Sequence, residues 1–149
     1  MGMFNMMQVS ASALAAERQR AEVTAVNLAN AETTHTDQGG PYVRKEVVFS
    51  ATHGSLFHAA FNSAGSMAQA PAGSVRLTDV VDDPTPAVRR YEPGNPDADA
   101  TGYVSYPAIN PVTEMVDLMG SVRSYQLNAS AISAEKQMIE QSISILKPS

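Results

Sequence analysis

Apolar side chains recur at alternating spacings of three and four along both ends of the chain, the pattern of helices that lay one stripe against a partner. Near the N-terminus the series is Phe4, Met7, Ala11, Leu14, Arg18, Ala21, Ala25, Leu28, with one charged interruption. Near the C-terminus it is Met115, Leu118, Val122, Tyr125, Ala129, Ile132, Lys136, Ile139, Ile143, Leu146, with a single charge in the row. A second apolar row on the same segment, Val112, Val116, Met119, Leu127, Ala131, Ala134, Met138 and Ile145, gives that helix two sticky faces and predicts contact with more than one neighbour.

Start and stop signals support the periodicity. Asn110 before Pro111 reads as an N-cap followed by the proline tolerated at the first helical position, with Glu114 and Asp117 near the positive end of the helix dipole. Lys147 and Pro148 close the segment. At the other end, Asn5 with Gln8 three residues later predicts a capping box, and the helix is expected to fade near Asn30, before Gly39-Gly40-Pro41.

Between the helices the texture changes to Gly, Pro, Ser and Asp. Tyr42 to Phe49, Val75 to Val81, Val88 to Tyr91 and Tyr103 to Tyr106 read as short strands, separated by turn clusters such as QGGP, DDPTP and EPGNP. Residues 50 to 74 are expected to form a loop with one short apolar turn around Leu56 to Phe61. The expected fold is mainly α with a small β-rich insertion (α+β). Residues 1–34 and 111–149 form the two helices of a coiled-coil-like inner domain, and 35–110 a β-hairpin-rich module with a variable loop at about 50–87.

Composition changes how that fold is to be completed. Hydrophobic residues make up 44% of the 149, but 22 of them are Ala, while Leu, Ile, Val and Phe together number only 30. That share is about 20%, the level below which charged chains stay disordered. A core this thin predicts a protein finished by assembly. With 10 Lys plus Arg against 15 Asp plus Glu, net −5, and no basic run longer than a pair, the chain lacks the cationic stripe that binding to nucleic acid requires. Cys is absent, which removes thiolate chemistry. The first twenty residues have no positive stretch before Arg18 and no continuous apolar run, so they do not read as a cleavable secretory signal, and no segment is apolar enough to span a membrane.

The search for chemistry yields turns. His53 and His58 are five apart, a spacing that puts them on one face of neither a helix nor a strand, and His35 stands alone. Asp97-Ala98-Asp99-Ala100-Thr101-Gly102 imitates the first half of a calcium loop, but position 12 is Ala108 instead of a bidentate Glu, so it reads as a fixed turn. Asp82-Asp83 lie in polar sequence with nothing to raise a pKa. The residues therefore predict no catalytic site, no cofactor, no metal and no small-molecule substrate.

Two blocks are more specific. The helix ending in VNLANAETT (Val26 to Thr34) with DQGGPYVRKEVVF (Asp37 to Phe49), and the run YEPGNPDADATGYVSYPAINPVTEMVDLMGSVRSYQLNASAISAEKQM (Tyr91 to Met138), resemble the rod and hook axial family of the bacterial flagellum, its proximal-rod branch in particular. The resemblance covers roughly residues 3 to 49 and 88 to 147, and residues 50 to 87 stand out as an insertion of the chain's own. It implies a structural subunit of the basal-body rod, exported without a cleaved signal through the flagellar type III gate. Such subunits polymerise in the periplasm with themselves and other rod proteins into a hollow drive shaft, next to the membrane-ring and export-gate proteins.

Carried onto this sequence, the resemblance assigns Asn27, Leu28, Ala29, Asn30 and Ala31 to the helix end and exit turn. It assigns Gly94, Asn95, Pro96 and Asp97 to a structural turn of the β module. Glu114, Met115, Val116, Asp117, Met119, Arg123, Ser124 and Tyr125 fall on an assembly face of the C-terminal helix. With the heptad positions, the expected assembly interface comprises Phe4, Met7, Leu14, Asn27, Leu28, Asn30, Met115, Leu118, Val122, Arg123, Tyr125, Ile132, Ile139 and Ile143. Another axial subunit such as a distal-rod protein, and a soluble coiled-coil adaptor, are the alternatives.

Overall fold

The computed structural model describes residues 3–51 and 73–146. The predicted apolar turn at Leu56 to Phe61, His53, His58 and the Lys147-Pro148 stop lie outside the described residues. In chain order the elements are α1 (Met3–Ala29), β1 (Lys45–Ala51), β2 (Val75–Asp82), β3 (Val88–Tyr91), β4 (Tyr103–Tyr106) and α2 (Pro111–Leu146). At about 1.5 Å per residue the 27 residues of α1 and the 36 of α2 give helices roughly 40 and 54 Å long. The expected class, two terminal helices around a small β-rich middle, is the observed one.

Local signals explain most boundaries. The Asn110 side-chain oxygen accepts from the Val112 N–H at 3.0 Å and its carbonyl from the Glu114 N–H at 3.1 Å, so Asn110 caps α2 as its sequence predicts. The Asn5 cap is a correction: α1 has already begun by Met3, so Asn5 and Gln8 lie inside the helix instead of closing its start. At the far end of α1 the Asn30 amide donates to the Val26 carbonyl at 2.9 Å, satisfying an acceptor left over by the final turn. β3 and β4 coincide with their predicted ranges. β1 begins at Lys45, three residues later than the apolar pattern suggests, because Tyr42 still bonds back to the Thr33 carbonyl at 3.0 Å.

The strands form two separate two-stranded sheets, β1-β2 and β3-β4. In the first, Lys45 meets Asp82 and Ser50 meets Thr78, so the partners run in opposite directions. The second is an antiparallel hairpin with Val88 opposite Tyr106 and Tyr91 opposite Tyr103.

The chain divides into two compact units, one from Met1–Arg18, Phe49–Thr78 and Val122–Ser149, the other from Gln19–Val48 and Asp79–Ser121. In the first, the Ser12 hydroxyl donates to the Val9 carbonyl at 2.7 Å and accepts from the Val75 N–H at 3.0 Å, fastening the start of β2 to α1. In the second, Val104 of β4 is the largest buried apolar side chain. Among the described residues Ala16, Ala31, Val104 and Pro107 are the buried apolar side chains, whereas Thr24, Asn27, Ser74, Glu114, Ser121 and Glu135 are buried polar ones. Among the described residues the core is thus as thin as the composition suggests, and polar contacts bear much of the packing.

Candidate assembly site

The second unit is organised around a buried polar junction between the end of α1, the start of β1 and the start of α2. Asn27 is 1% exposed and uses all of its amide. Its oxygen accepts from the Lys45 N–H at 2.9 Å and the Tyr42 hydroxyl at 3.0 Å, while its nitrogen donates to the Lys45 carbonyl at 2.9 Å and to Glu114 Oε2 at 3.4 Å. An amide in which every donor and acceptor is used is the arrangement that makes burial of a polar side chain tolerable.

Glu114 is 2% exposed and its other oxygen accepts from Arg44 Nε at 2.7 Å. Arg44 reaches Glu46 at 2.6 Å and Asp83 at 3.3 Å with Nη1, so one guanidinium joins three carboxylates. The Glu114 carboxylate drives the Arg44 pKa further up, against the opposing effect of burial. The Asp83 carboxyl is held below its ordinary range first by the Thr85 hydroxyl at 2.6 Å and only then by Arg44. Burial pushes the Tyr42 phenol up.

Glu114, expected on the assembly face of the C-terminal helix, is instead buried in the single chain, with its carboxylate bonded to Arg44 and Asn27. Arg44 and Tyr42 are the junction residues that sequence reasoning missed. Each has an ordinary local explanation, a charge or an aromatic ring in a strand-like run, and their partners stand up to 70 positions away.

The β3-β4 connection is the second fixed feature. Asp99 accepts from the Thr101 hydroxyl at 2.5 Å, the Thr101 N–H at 2.8 Å and the Tyr103 N–H at 3.0 Å, and it pairs with Arg89. The Thr101 hydroxyl, followed by the Tyr103 N–H, holds the Asp99 carboxyl down at about 2. The Asn95 side chain accepts from the Asp97 N–H at 3.1 Å, and Asp97 accepts from the Thr34 hydroxyl at 2.6 Å, tying the turn to the exit of α1. Gly94 and Pro96 are exposed on this turn. The chemistry is that of a turn fixed by short polar side chains.

Gly102 closes the connection with φ +80°, and a Cβ there would stand 2.9 Å from Tyr91 Cε2 and 3.3 Å from Pro93 Cβ. Gly102→Ala is expected to cost about 1–2 kcal/mol in backbone strain. Through the usual entropy of unfolding for a chain of this size, that lowers the melting temperature by about 2–8 °C, readable by circular dichroism. The ring of Tyr91, packed edge-on against Tyr103 at 5.3 Å, must shift as well, so the near-ultraviolet tyrosine signal changes with it.

The helix faces are the third feature. On α2 the buried or half-buried positions are Glu114, Leu118, Ser121, Ser124, Asn128, Ile132, Glu135 and Ile139. Leu118, Ile132 and Ile139 of the predicted stripe lie on this inner face. Met115, Val122, Tyr125 and Ile143 are exposed, as is Arg123. The inward row therefore lies one residue earlier than the apolar pattern indicates, through Glu114, Ser121, Asn128 and Glu135, four polar side chains at seven-residue spacing.

Opposite that face, by helical geometry, are Val112, Val116, Met119, Leu127, Met138 and Ile145, all exposed, with Met119 at 65% and Ile145 at 83%. On α1, Met7, Leu14 and Leu28 are half-buried, as is Asn30 just past its end, whereas Phe4 is 74% exposed. Large apolar side chains in water on long helices mark surfaces made for other protein. Among the described residues, no helix is long and apolar enough to cross a membrane.

Two long terminal helices with exposed apolar rows, joined through a small polar-stapled β module, define the class of structural subunits completed by assembly. Comparison with known proteins gives the family. The model of the flagella basal body rod protein family matches residues 7–34, and that of the flagellar basal body rod FlgEFG protein C-terminal matches residues 100–145. The flagellar basal-body rod protein FlgC of Bacillus subtilis (strain 168) is 38% identical over 147 residues, covering 97% of this chain and 98% of its own. FlgC of Escherichia coli O6:H1 is 38% identical over 145 residues with the same coverage, and FlgC of Borreliella burgdorferi 31% over 151 residues, 99% of each chain. The chain belongs to the FlgC family of flagellar basal-body rod proteins and is a structural rod subunit of the basal body. Coverage that complete leaves no room for an insertion at 50 to 87, so that stretch has a counterpart in the relatives.

Proposed function

We propose that this subunit builds the proximal rod, polymerising with copies of itself and with other rod proteins into a hollow shaft that transmits torque and through which export substrates pass. It passes through the export gate, assembles in the periplasm beside the membrane ring, and has no catalytic activity of its own. The observation that carries this reading is the placement of the large apolar side chains. They are few, and many are exposed along α1 and α2 instead of gathered in a core. Such a chain gains its missing apolar burial when several neighbours close on it.

The junction of Asn27, Arg44 and Glu114 then has a mechanical task. It holds the end of α1, the start of α2 and the β1 strand in one arrangement, so that load reaching the module is passed to both helices. In a strain lacking this chain, electron microscopy of isolated basal bodies is expected to show a membrane ring without a completed rod, restored by the chain expressed in trans. Complete rods in the deletion strain would overturn the proposal.

A further inference from the structure

We infer that the open edge of β3 takes up an extended segment of another protein, one that sets an acidic side chain opposite Arg90. The register of the hairpin decides which backbone groups are free. The Glu92 N–H donates to the Gly102 carbonyl at 2.9 Å, which makes Glu92 and Gly102 a hydrogen-bonded pair. Bonded and non-bonded pairs alternate along an antiparallel ladder, so Arg90 with Val104 and Val88 with Tyr106 are the next bonded pairs. The N–H and C=O groups of Arg89 and Tyr91 therefore point away from β4. The sheet has no further strand on that side, all four residues of β3 are exposed, and among the described residues no hydrogen bond reaches these groups.

The other strands carry side chains at their edges. On β1, Asn27 takes both the N–H and the C=O of Lys45, at 2.9 Å each. On β4, the Asp99 carboxylate accepts from the Tyr103 N–H at 3.0 Å, and the Asp99 N–H donates to the Tyr103 carbonyl at 2.8 Å. On β2, the Asp79 carboxylate takes the Val80 N–H at 2.9 Å. Groups occupied in this way cannot recruit a stray strand, and β3 has no such block.

Charge selects the occupant. Arg90 lies over the Tyr106 ring at 4.6 Å and forms no ion pair among the described residues. The nearby Glu92 carboxylate is already taken, by the Asn95 amide at 3.1 Å and the Tyr106 hydroxyl at 2.9 Å. An antiparallel strand bonded to Arg89 and Tyr91 places its middle residue in the closer, non-bonded kind of pair with Arg90. An acid is favoured there and a base disfavoured. A second copy of β3 serving the same groups would set Arg90 against Arg90, so the edge is not built for self-pairing. On the other face the Tyr91 ring, 65% exposed, offers apolar contact to a residue flanking that acid. The occupant is thus a short extended segment with an acid between two apolar residues, added to the edge as a third strand.

The probe is a blocked pentapeptide, Thr-Val-Glu-Val-Thr, titrated into the isotope-labelled full chain and followed by the amide signals in nuclear magnetic resonance. The Arg89 and Tyr91 amides are expected to shift and to exchange more slowly with solvent. The peptide with Lys in place of Glu is expected to bind about fivefold more weakly. Arg89→Pro removes one free N–H without touching a bond of the hairpin, and is expected to abolish binding. Arg89→Thr, which keeps that N–H, should retain it. Arg90→Glu leaves the edge intact and should reverse the preference, so that the Lys peptide binds more tightly. Absence of binding to the wild-type chain, or binding that leaves the Arg89 and Tyr91 amides unmoved, would overturn the inference. So would an unchanged preference in Arg90→Glu, which decides the matter should Arg89→Pro lose the hairpin's tyrosine signals.

Discussion

Arg44→Met is expected to destabilise the chain by about 3 kcal/mol, the lower end of what is lost when one partner of a buried ion pair is removed. The Glu114 side chain is only 3% exposed and would be left without its guanidinium, with the Asn27 amide at 3.4 Å as its remaining side-chain donor. The lower end applies because the Arg44 side chain is itself 23% exposed, so water can partly replace it. For a chain of this size that corresponds to a fall in melting temperature of about 6–12 °C, measured by thermal circular dichroism. Arg44→Lys should not restore the wild-type value, since an ammonium cannot reproduce the planar fork that joins Glu114, Glu46 and Asp83. The double variant Arg44→Met, Glu114→Met should recover much of the loss, because neither charge is then buried alone. A double variant no more stable than Arg44→Met would show that the junction holds the fold by some means other than the pair.

Val116→Glu and Met119→Lys are expected to abolish swimming while leaving the isolated chain as stable as the wild type. Both side chains are exposed on the outward row, so a charge there meets water in the monomer and shifts stability by less than about 0.5 kcal/mol. In a polymer the same charge is buried without a partner, which costs several kcal/mol at every copy. The readouts are a soft-agar motility assay for assembly and a melting curve for the monomer. Leu118→Glu cannot separate the two effects, because Leu118 is half-buried on the inner face and its loss disturbs the fold as well as the assembly. Normal swimming with Met119→Lys would exclude the outward row as an assembly surface.

These two sites show how unevenly the sequence discloses the molecule. The α2 start was legible because Asn110-Pro111 is a local device, completed within four residues by bonds of 3.0 and 3.1 Å. The β3 and β4 strands were legible for the same reason, since DDPTP and EPGNP bound them closely. The β3-β4 turn follows from Asp, Asn, Thr and Gly bonding near neighbours. The Asn5 cap failed because a spacing of three between Asn and Gln occurs inside helices too, and nothing local separates the cases.

The pairing of Arg44 with Glu114 was not legible. A charged residue in a strand-like run and an acid in a helix's first turn each satisfy a solvent-facing explanation. Their separation of 70 positions hides the bond that makes them one unit.

By itself the sequence determined two long helices around a small β-rich middle, a chain poor in large apolar side chains, and a resemblance to a rod family that the relatives establish. Helix period, caps and turns are short-range physics, settled within a few residues of where they are read. Only the tertiary structure decided which way α2 is turned. Its two apolar rows are nearly equivalent in sequence, and the choice between them lies with non-local contacts such as that of Glu114 with Arg44 and Asn27. By holding a polar row inward, the fold keeps one of its strongest apolar rows outward, facing water in the isolated chain.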